Sequence, residues 1–172
     1  MAEAIQEKLG LSALCHVGPG TAGGEMFRSY WLAICRSEDL KDIPRAVKVL
    51  DEELVLFRDG SGRLGLMGLH CSHRGTSLEY GDIEARGIRC PYHGWLYDVS
   101  GNCLDQPLEP KGSMFCQKVK HPSYRAQEMG GLIFAFMGPK ESEPPPLPRY
   151  SALVREDGVR LGISRSWGWR DT

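Results

Sequence analysis

Three features of the sequence predict an all-β fold of short antiparallel strands. Glycine and proline are abundant, 21 and 11 of 172 residues, which suits many turns between short strands better than a helix bundle. Apolar and β-branched runs recur at close spacing. Strands this close in the chain pair antiparallel, because a parallel pair needs a longer crossover. Turn sequences separate the runs, notably Asp59-Gly60-Ser61-Gly62 and Ser100-Gly101-Asn102, the second a strong hairpin signal.

The elements follow in order. Ile5 and Leu9 at helical spacing predict a short helix over the first nine residues, ended by the Gly18-Pro19-Gly20 and Gly23-Gly24 loop. Glu25 to Trp31 reads as a turn or two of helix entering an apolar strand, Trp31 to Cys35. After a polar connection, Ala46 to Leu50, Leu54 to Arg58 and Leu64 to Leu69 carry the β pattern. Ile83 and Gly87 to Arg89 are short strands, and Leu96 to Val99 and Cys103 to Leu104 flank the second turn. Val119, Tyr124 to Gln127 and Leu132 to Met137 supply the last strands; the final one is almost wholly apolar and therefore expected to be central. Pro139 to Pro148 (PKESEPPPLP) reads as an extended linker leaving the core, with the domain boundary near Gly138.

Composition narrows the function. A length of 172 residues suits one domain with an attached arm, and 41% hydrophobic with 25% charged residues excludes a disordered chain. A net charge of -1 gives no electrostatic support for sequence-independent nucleic-acid binding. The longest apolar runs are too short to cross a bilayer, and the first residues lack the apolar segment of a signal peptide, so a cytoplasmic protein engaging neither nucleic acid nor membrane is expected. In that compartment six cysteines read as metal ligands or reduced thiols rather than three disulfides.

The chemistry lies in two loops. Cys71-Ser72-His73 is followed, after sixteen residues, by Cys90-Pro91-Tyr92-His93. Each offers one thiolate and one imidazole in a glycine-bearing loop beside a strand. Softness alone leaves a single zinc and an iron–sulfur cluster both open, although zinc fingers usually separate their Cys and His halves.

The spacing resembles the Rieske [2Fe-2S] pattern, and CSHRG with CPYHGW is similar to its version in Rieske non-haem iron ring-hydroxylating oxygenases of the phthalate dioxygenase type. GTAGGEMFRSYW, residues 20–31, resembles the N-terminal arm of their α subunits, and Leu132 to Met137 the end of their Rieske domain, so the likeness covers about residues 16–160. It implies a Rieske fold: antiparallel sheets, a small cluster-binding subdomain and a short N-terminal helical arm. The division is then an arm at 1–26, a Rieske domain at 27–138 with cluster loops at 70–76 and 90–95, and a Pro-rich linker with the start of a truncated catalytic domain at 139–172.

The resemblance further implies one [2Fe-2S] cluster per chain, with Cys71 and Cys90 on the inner iron and His73 and His93 on the outer, and with Arg74, Gly75, Tyr92, Gly94 and Trp95 supporting the loops. The implied role is one-electron transfer from a flavin or iron–sulfur reductase to the mononuclear iron of an aromatic-ring oxygenase or O-demethylase. Full-length relatives are expected to be trimers, whereas the isolated chain can be monomeric. A free-standing Rieske ferredoxin and a zinc-binding structural module are the rival readings.

Departures from the Rieske proteins of respiratory complexes set expectations for the potential. Thr76, Tyr92 and Trp95 stand where those proteins carry loop cysteines and a serine, so no loop disulfide forms and one donor to a cluster sulfur is lacking. The potential should lie toward the lower end of a range of about -150 to +300 mV. Tyr97 occupies the position of another donor, but is read as an aromatic packed under the hairpin. Tyr92 and Trp95 either shield the cluster or pack. Reduction should raise the proton affinity of the outer imidazoles, so the midpoint should fall as pH rises.

Of the other histidines, His16, His70 and His121, none forms a pair at helical spacing, so no facial triad is expected and no residue is assigned as catalytic. His70 reads as a solvent-facing or backbone-bonded ring rather than a fifth ligand. Cys15, Cys35, Cys103 and Cys116 read as reduced packing thiols.

Overall fold

The computed structural model describes residues 15–110, 112–139, 143–155 and 157. The helix expected over residues 1–9 lies outside them. Among the described residues ten strands form two antiparallel sheets. The larger takes the order β1-β10-β9-β4-β3-β2, built from β1 (Trp31–Arg36), β2 (Arg45–Val49), β3 (Glu52–Arg58), β4 (Leu64–Gly68), β9 (Ser123–Met129) and β10 (Leu132–Phe136). The smaller runs β5 (Asp82–Glu84), β6 (Gly87–Arg89), β7 (Leu96–Tyr97) and β8 (Cys103–Asp105) in chain order. The apolar β10 lies inside its sheet, flanked by β1 and β9.

The smaller sheet is an insertion. β4 and β9 are neighbours through Leu66↔Tyr124 and Met67↔Ser123, and all the chain between them, including both Cys/His loops, stands out from that one pair. Val119, expected in a strand, instead follows a 3₁₀ turn at Cys116–Lys118.

The β3–β4 hairpin separates two cores. Successive strand side chains face opposite ways, so Leu54, Leu56 and Leu66 pack with Leu40, Ile133, Ala135 and Met137, while Val55, Phe57 and Met67 pack with Leu78, Ile88, Tyr97 and both loop cysteines. The unbroken apolar run of β3 is thus burial on two faces. Each such side chain contributes about 1.5–3 kcal/mol, so the same hairpin stabilises both the scaffold and the floor of the inserted subdomain.

Local chemistry places the remaining pieces. Helix α1 (Ala22–Arg28) begins at Thr21, whose hydroxyl accepts from Gly24 N at 3.0 Å and lies 2.8 Å from Gly18 O as a donor. The helix therefore starts and ends earlier than the expected Glu25 to Trp31, while Trp31 opens β1 as expected. Its buried Arg28 pairs with Glu52 of β3, which also accepts from the Tyr124 hydroxyl. Burial, then that bond to Glu52, push the Tyr124 hydroxyl up to about 12.

The Pro-rich segment corrects an expectation. Its composition predicts a linker leaving the core at Gly138, but the Trp31 indole donates to Pro145 O at 2.7 Å, Leu147 is buried, and Leu153 of the short helix α2 (Ser151–Val154) lies against Gly130. Proline residues lack an N–H and keep their carbonyls free, so an extended proline stretch can accept from Trp31 without joining the sheet.

Candidate metal centre

The two loops share one backbone design. In loop 1 (70–76) Cys71 N donates to Thr76 O at 2.9 Å and Gly75 N to Cys71 O at 2.9 Å. In loop 2 (90–95) Cys90 N donates to Trp95 O at 2.8 Å and Gly94 N to Cys90 O at 3.1 Å. Gly75 and Gly94 sit at φ 72° and 73°, the left-handed region that glycine enters without a Cβ penalty. The residue before each cysteine completes the match: His70 Nδ1 donates to Gly75 O at 3.1 Å, and Arg89 Nη1 donates to Gly94 O. Each of these anchors also meets a glutamate, Glu53 and Glu84 respectively. On equal backbones, the imidazole is carried two places after the cysteine in loop 1 and three in loop 2.

The side chains sort by depth. Cys71 and Cys90 are buried, each 3% exposed, and their thiols are within hydrogen-bonding reach of each other. Burial, more than the adjacent Cys71, pushes the Cys90 thiol up, against backbone N–H groups of Tyr92 and His93 that donate to it. The Tyr97 hydroxyl lies 3.3 Å from Cys71 Sγ, and burial, then that contact, raise its pKa. Tyr97 does pack under the hairpin as expected, and it additionally reaches the sulfur.

His73 and His93 are half-buried with ring centroids 4.5 Å apart and planes at 65°. His73 Nδ1 is buried without a hydrogen-bond partner. Desolvation, then the neighbouring His73 and Arg74, push the His93 imidazole below its ordinary value. Trp95, 6% exposed, stacks on His73 at 4.5 Å with planes 2° apart. Tyr92 is 61% exposed and lies 3.8 Å from the His93 ring. Trp95 therefore both packs and covers an imidazole, whereas Tyr92 stands in solvent. Arg74 is exposed.

The result is a thiol pair inside and an imidazole pair toward the surface. Among the described residues no group of three or more His, Cys, Asp or Glu converges on a single ion position. Two pairs suit a centre of two bridged irons, where two histidines replace two cysteines on one iron, and the orphaned His73 Nδ1 has the lone pair such a centre needs.

Residues 30–125 match the Rieske [2Fe-2S] domain. The chain belongs to that family. Its cofactor is a [2Fe-2S] cluster, and the donor set fits it. Relatives of the Rieske domain include the phenoxybenzoate dioxygenase α subunit of Ectopseudomonas oleovorans, 51% identical over 81% of this chain and 34% of that protein. The phthalate 4,5-dioxygenase oxygenase subunit of Pseudomonas putida is 40% identical over 89% of this chain and 35% of its own length. The chain thus spans about a third of these curated relatives. A crystal structure of dicamba monooxygenase with non-heme iron and dicamba superposes with a TM-score of 0.66 at 26% identity, over 76% of this chain and 40% of that one.

Of the other thiols of the Rieske chain, Cys35, Cys103 and Cys116 pack, whereas Cys15, expected to pack as well, is exposed because it precedes the helix and the sheets that bury the others. Cys116 Sγ donates to Cys103 O at 2.9 Å, and burial, then Cys116, push the Cys103 thiol up to about 12. Cys35 is half-buried in β1. His70 is the backbone-bonded ring that the sequence suggested. The sequence places Arg89 in a short strand but does not show its part in the site. It bonds Glu84, Gly94 O and Asp105, partners that only the β5–β8 sheet brings together. Its sole local signal was a cation directly before Cys90. Among the described residues no helix is long and apolar enough to cross a membrane.

Proposed function

We propose that Cys71 and Cys90 hold the inner iron and His73 and His93 the outer iron of the cluster, and that the domain passes single electrons from a flavin or iron–sulfur reductase to the mononuclear iron of an aromatic-ring oxygenase or O-demethylase, in the cytoplasm. The observation carrying this reading is the sorting of donors: buried thiols beside one another, partly exposed imidazoles beside one another. When bound, the cluster would supply a one-electron redox site. Cys71 and Cys90 are shielded by Leu78, Ile88 and Trp95, which exclude water from the sulfur side. With Cys71 deprotonated, the Tyr97 hydroxyl donates to its sulfur. Backbone N–H groups of Tyr92 and His93 do the same for Cys90. Trp95 fixes the plane of His73 by stacking. His73 and His93, the half-buried pair nearer the surface, would form the edge for electron exchange, and the exposed Tyr92 beside them offers apolar contact to a partner.

The test uses the purified chain. Expected are two acid-labile sulfides per chain, a visible spectrum that bleaches on reduction, and a rhombic EPR signal, with reduction by a catalytic amount of an oxygenase reductase and NADH. A colourless, redox-silent protein containing zinc overturns the proposal. Substrate, reductase and dioxygen added together should yield no hydroxylated product, because the histidines outside the loops offer no iron site of their own.

A further inference from the structure

We propose that His121 is a positioning residue for loop 1, acting through Ser72. The ring is 1% exposed and sits where the inserted subdomain returns to β9. Its Nε2 lies 2.8 Å from Gly68 O at the end of β4. A carbonyl only accepts, so Nε2 carries the hydrogen. In that neutral tautomer Nδ1 presents a lone pair, and the Ser72 hydroxyl, 2.7 Å away, donates to it. His121 N also donates to Gly101 O at 2.7 Å, and the ring lies 4.8 Å from that of Tyr97, whose hydroxyl reaches Cys71. One buried imidazole therefore ties together the neck of the insertion, the tip of the β7–β8 hairpin and the residue between the proposed ligands Cys71 and His73. The inference rests on the ligand set proposed above. The deep, fixed ring gives loop 1 a rigid reference on the scaffold, and the Ser72 bond transmits it to the ligands on either side.

The two bonds of the ring can be cut separately in the cluster-loaded chain. His121→Gln keeps a donor near Gly68 O and loses the acceptor for Ser72; His121→Asn places its amide oxygen where Nδ1 stood and loses the neck bond. Ser72→Ala removes one hydroxyl from an exposed residue, so it decides the matter even where a His121 variant fails to fold. Expected are shifts of the midpoint potential and EPR g-values of the same sign in Ser72→Ala and His121→Gln, no further shift in the double variant, and wild-type values with a lowered thermal midpoint in His121→Asn. Wild-type potential and g-values in Ser72→Ala, or additive shifts in the double variant, overturn the inference. Absence of a Rieske signal from the unaltered chain would instead overturn the ligand assignment, and this is read before any variant is made.

Discussion

Loop 1 and loop 2 close through the same two backbone hydrogen bonds around a left-handed glycine, yet they are secured from different places. The anchor of loop 1, His70, is 55% exposed in its side chain and meets Glu53 of the scaffold strand β3, while Tyr97 and His121 support the loop from behind. The anchor of loop 2, Arg89, is 24% exposed and bonds Glu84 of β5 and Asp105 of β8, both in its own sheet. Loop 2 is thus held inside the insertion, and loop 1 is held across the boundary with the scaffold. A single backbone motif has been fitted to two environments, and the four proposed ligands sit where they meet.

The largest expected effect removes the difference. Cys71→Ser and Cys90→Ser should each abolish the cluster, with loss of visible absorption and acid-labile sulfide, because both thiolates belong to one pair. Retention of the spectrum in one variant alone would show that the loops do not contribute equally. The glycines separate the loops next. A Cβ in the left-handed region costs roughly 1–2 kcal/mol. At Gly75 that is the whole cost, since a Cβ there meets nothing within 4 Å. At Gly94 it would come within 3.1 Å of Pro107 Cγ, so Gly94→Ala should lose about 1 kcal/mol more than Gly75→Ala by crowding, measured by denaturant unfolding. Equal losses would mean that Pro107 yields freely.

Hydrogen bonding to the sulfurs is a subtler contrast. Cys71 meets the Tyr97 hydroxyl, whereas backbone N–H groups of Tyr92 and His93 donate to Cys90. A donor favours the more negative, reduced cluster, so Tyr97→Phe should retain the cluster and lower its midpoint by about 60 mV, the one-electron equivalent of a charge-assisted bond worth about 1.4 kcal/mol. An unchanged midpoint in protein-film voltammetry would return Tyr97 to packing alone. The hydroxyl also tempers the expectation of a low potential, which counted the missing serine without this donor.

What the sequence showed and what it hid follow from range. The turn at Asp59-Gly60-Ser61-Gly62 was legible because Asp59 bonds residues only two and four places on. The turn between β2 and β3 announced nothing: Leu50 and Asp51 take φ of 47° and 64° without the Asn or Gly that usually marks such a hairpin, the strand pairing having overridden local preference. The four proposed ligands were visible because cysteine and histidine at fixed spacing carry their chemistry in the residue type. Their supports were not, since Ser72 and His121 lie 49 residues apart and Gly68 and His121 lie 53 apart. Only the insertion of β5–β8 between β4 and β9 brings them together. The proline stretch misled for a related reason: composition reports an extended backbone, but not that Trp31 receives it.

The smallest expected effect bears most directly on the comparison. Arg89 and His70 hold equivalent carbonyls, so a simple count of hydrogen bonds would rank them alike. Exposure separates them. Arg89→Met leaves Gly94 O, Glu84 and Asp105 without a cation in a half-buried site and should lose about 1–2 kcal/mol, the value of charge-assisted bonds discounted for partial solvent access. His70→Leu removes a ring that water can replace at both Gly75 O and Glu53, and should lose less than about 0.5 kcal/mol. Urea unfolding of the two variants against the unaltered protein measures both. A loss from His70→Leu as large as that from Arg89→Met would mean that the bond to Gly75 O, not the half-buried guanidinium network, is what holds a cluster loop closed. In that case the two environments would matter less than the backbone they share.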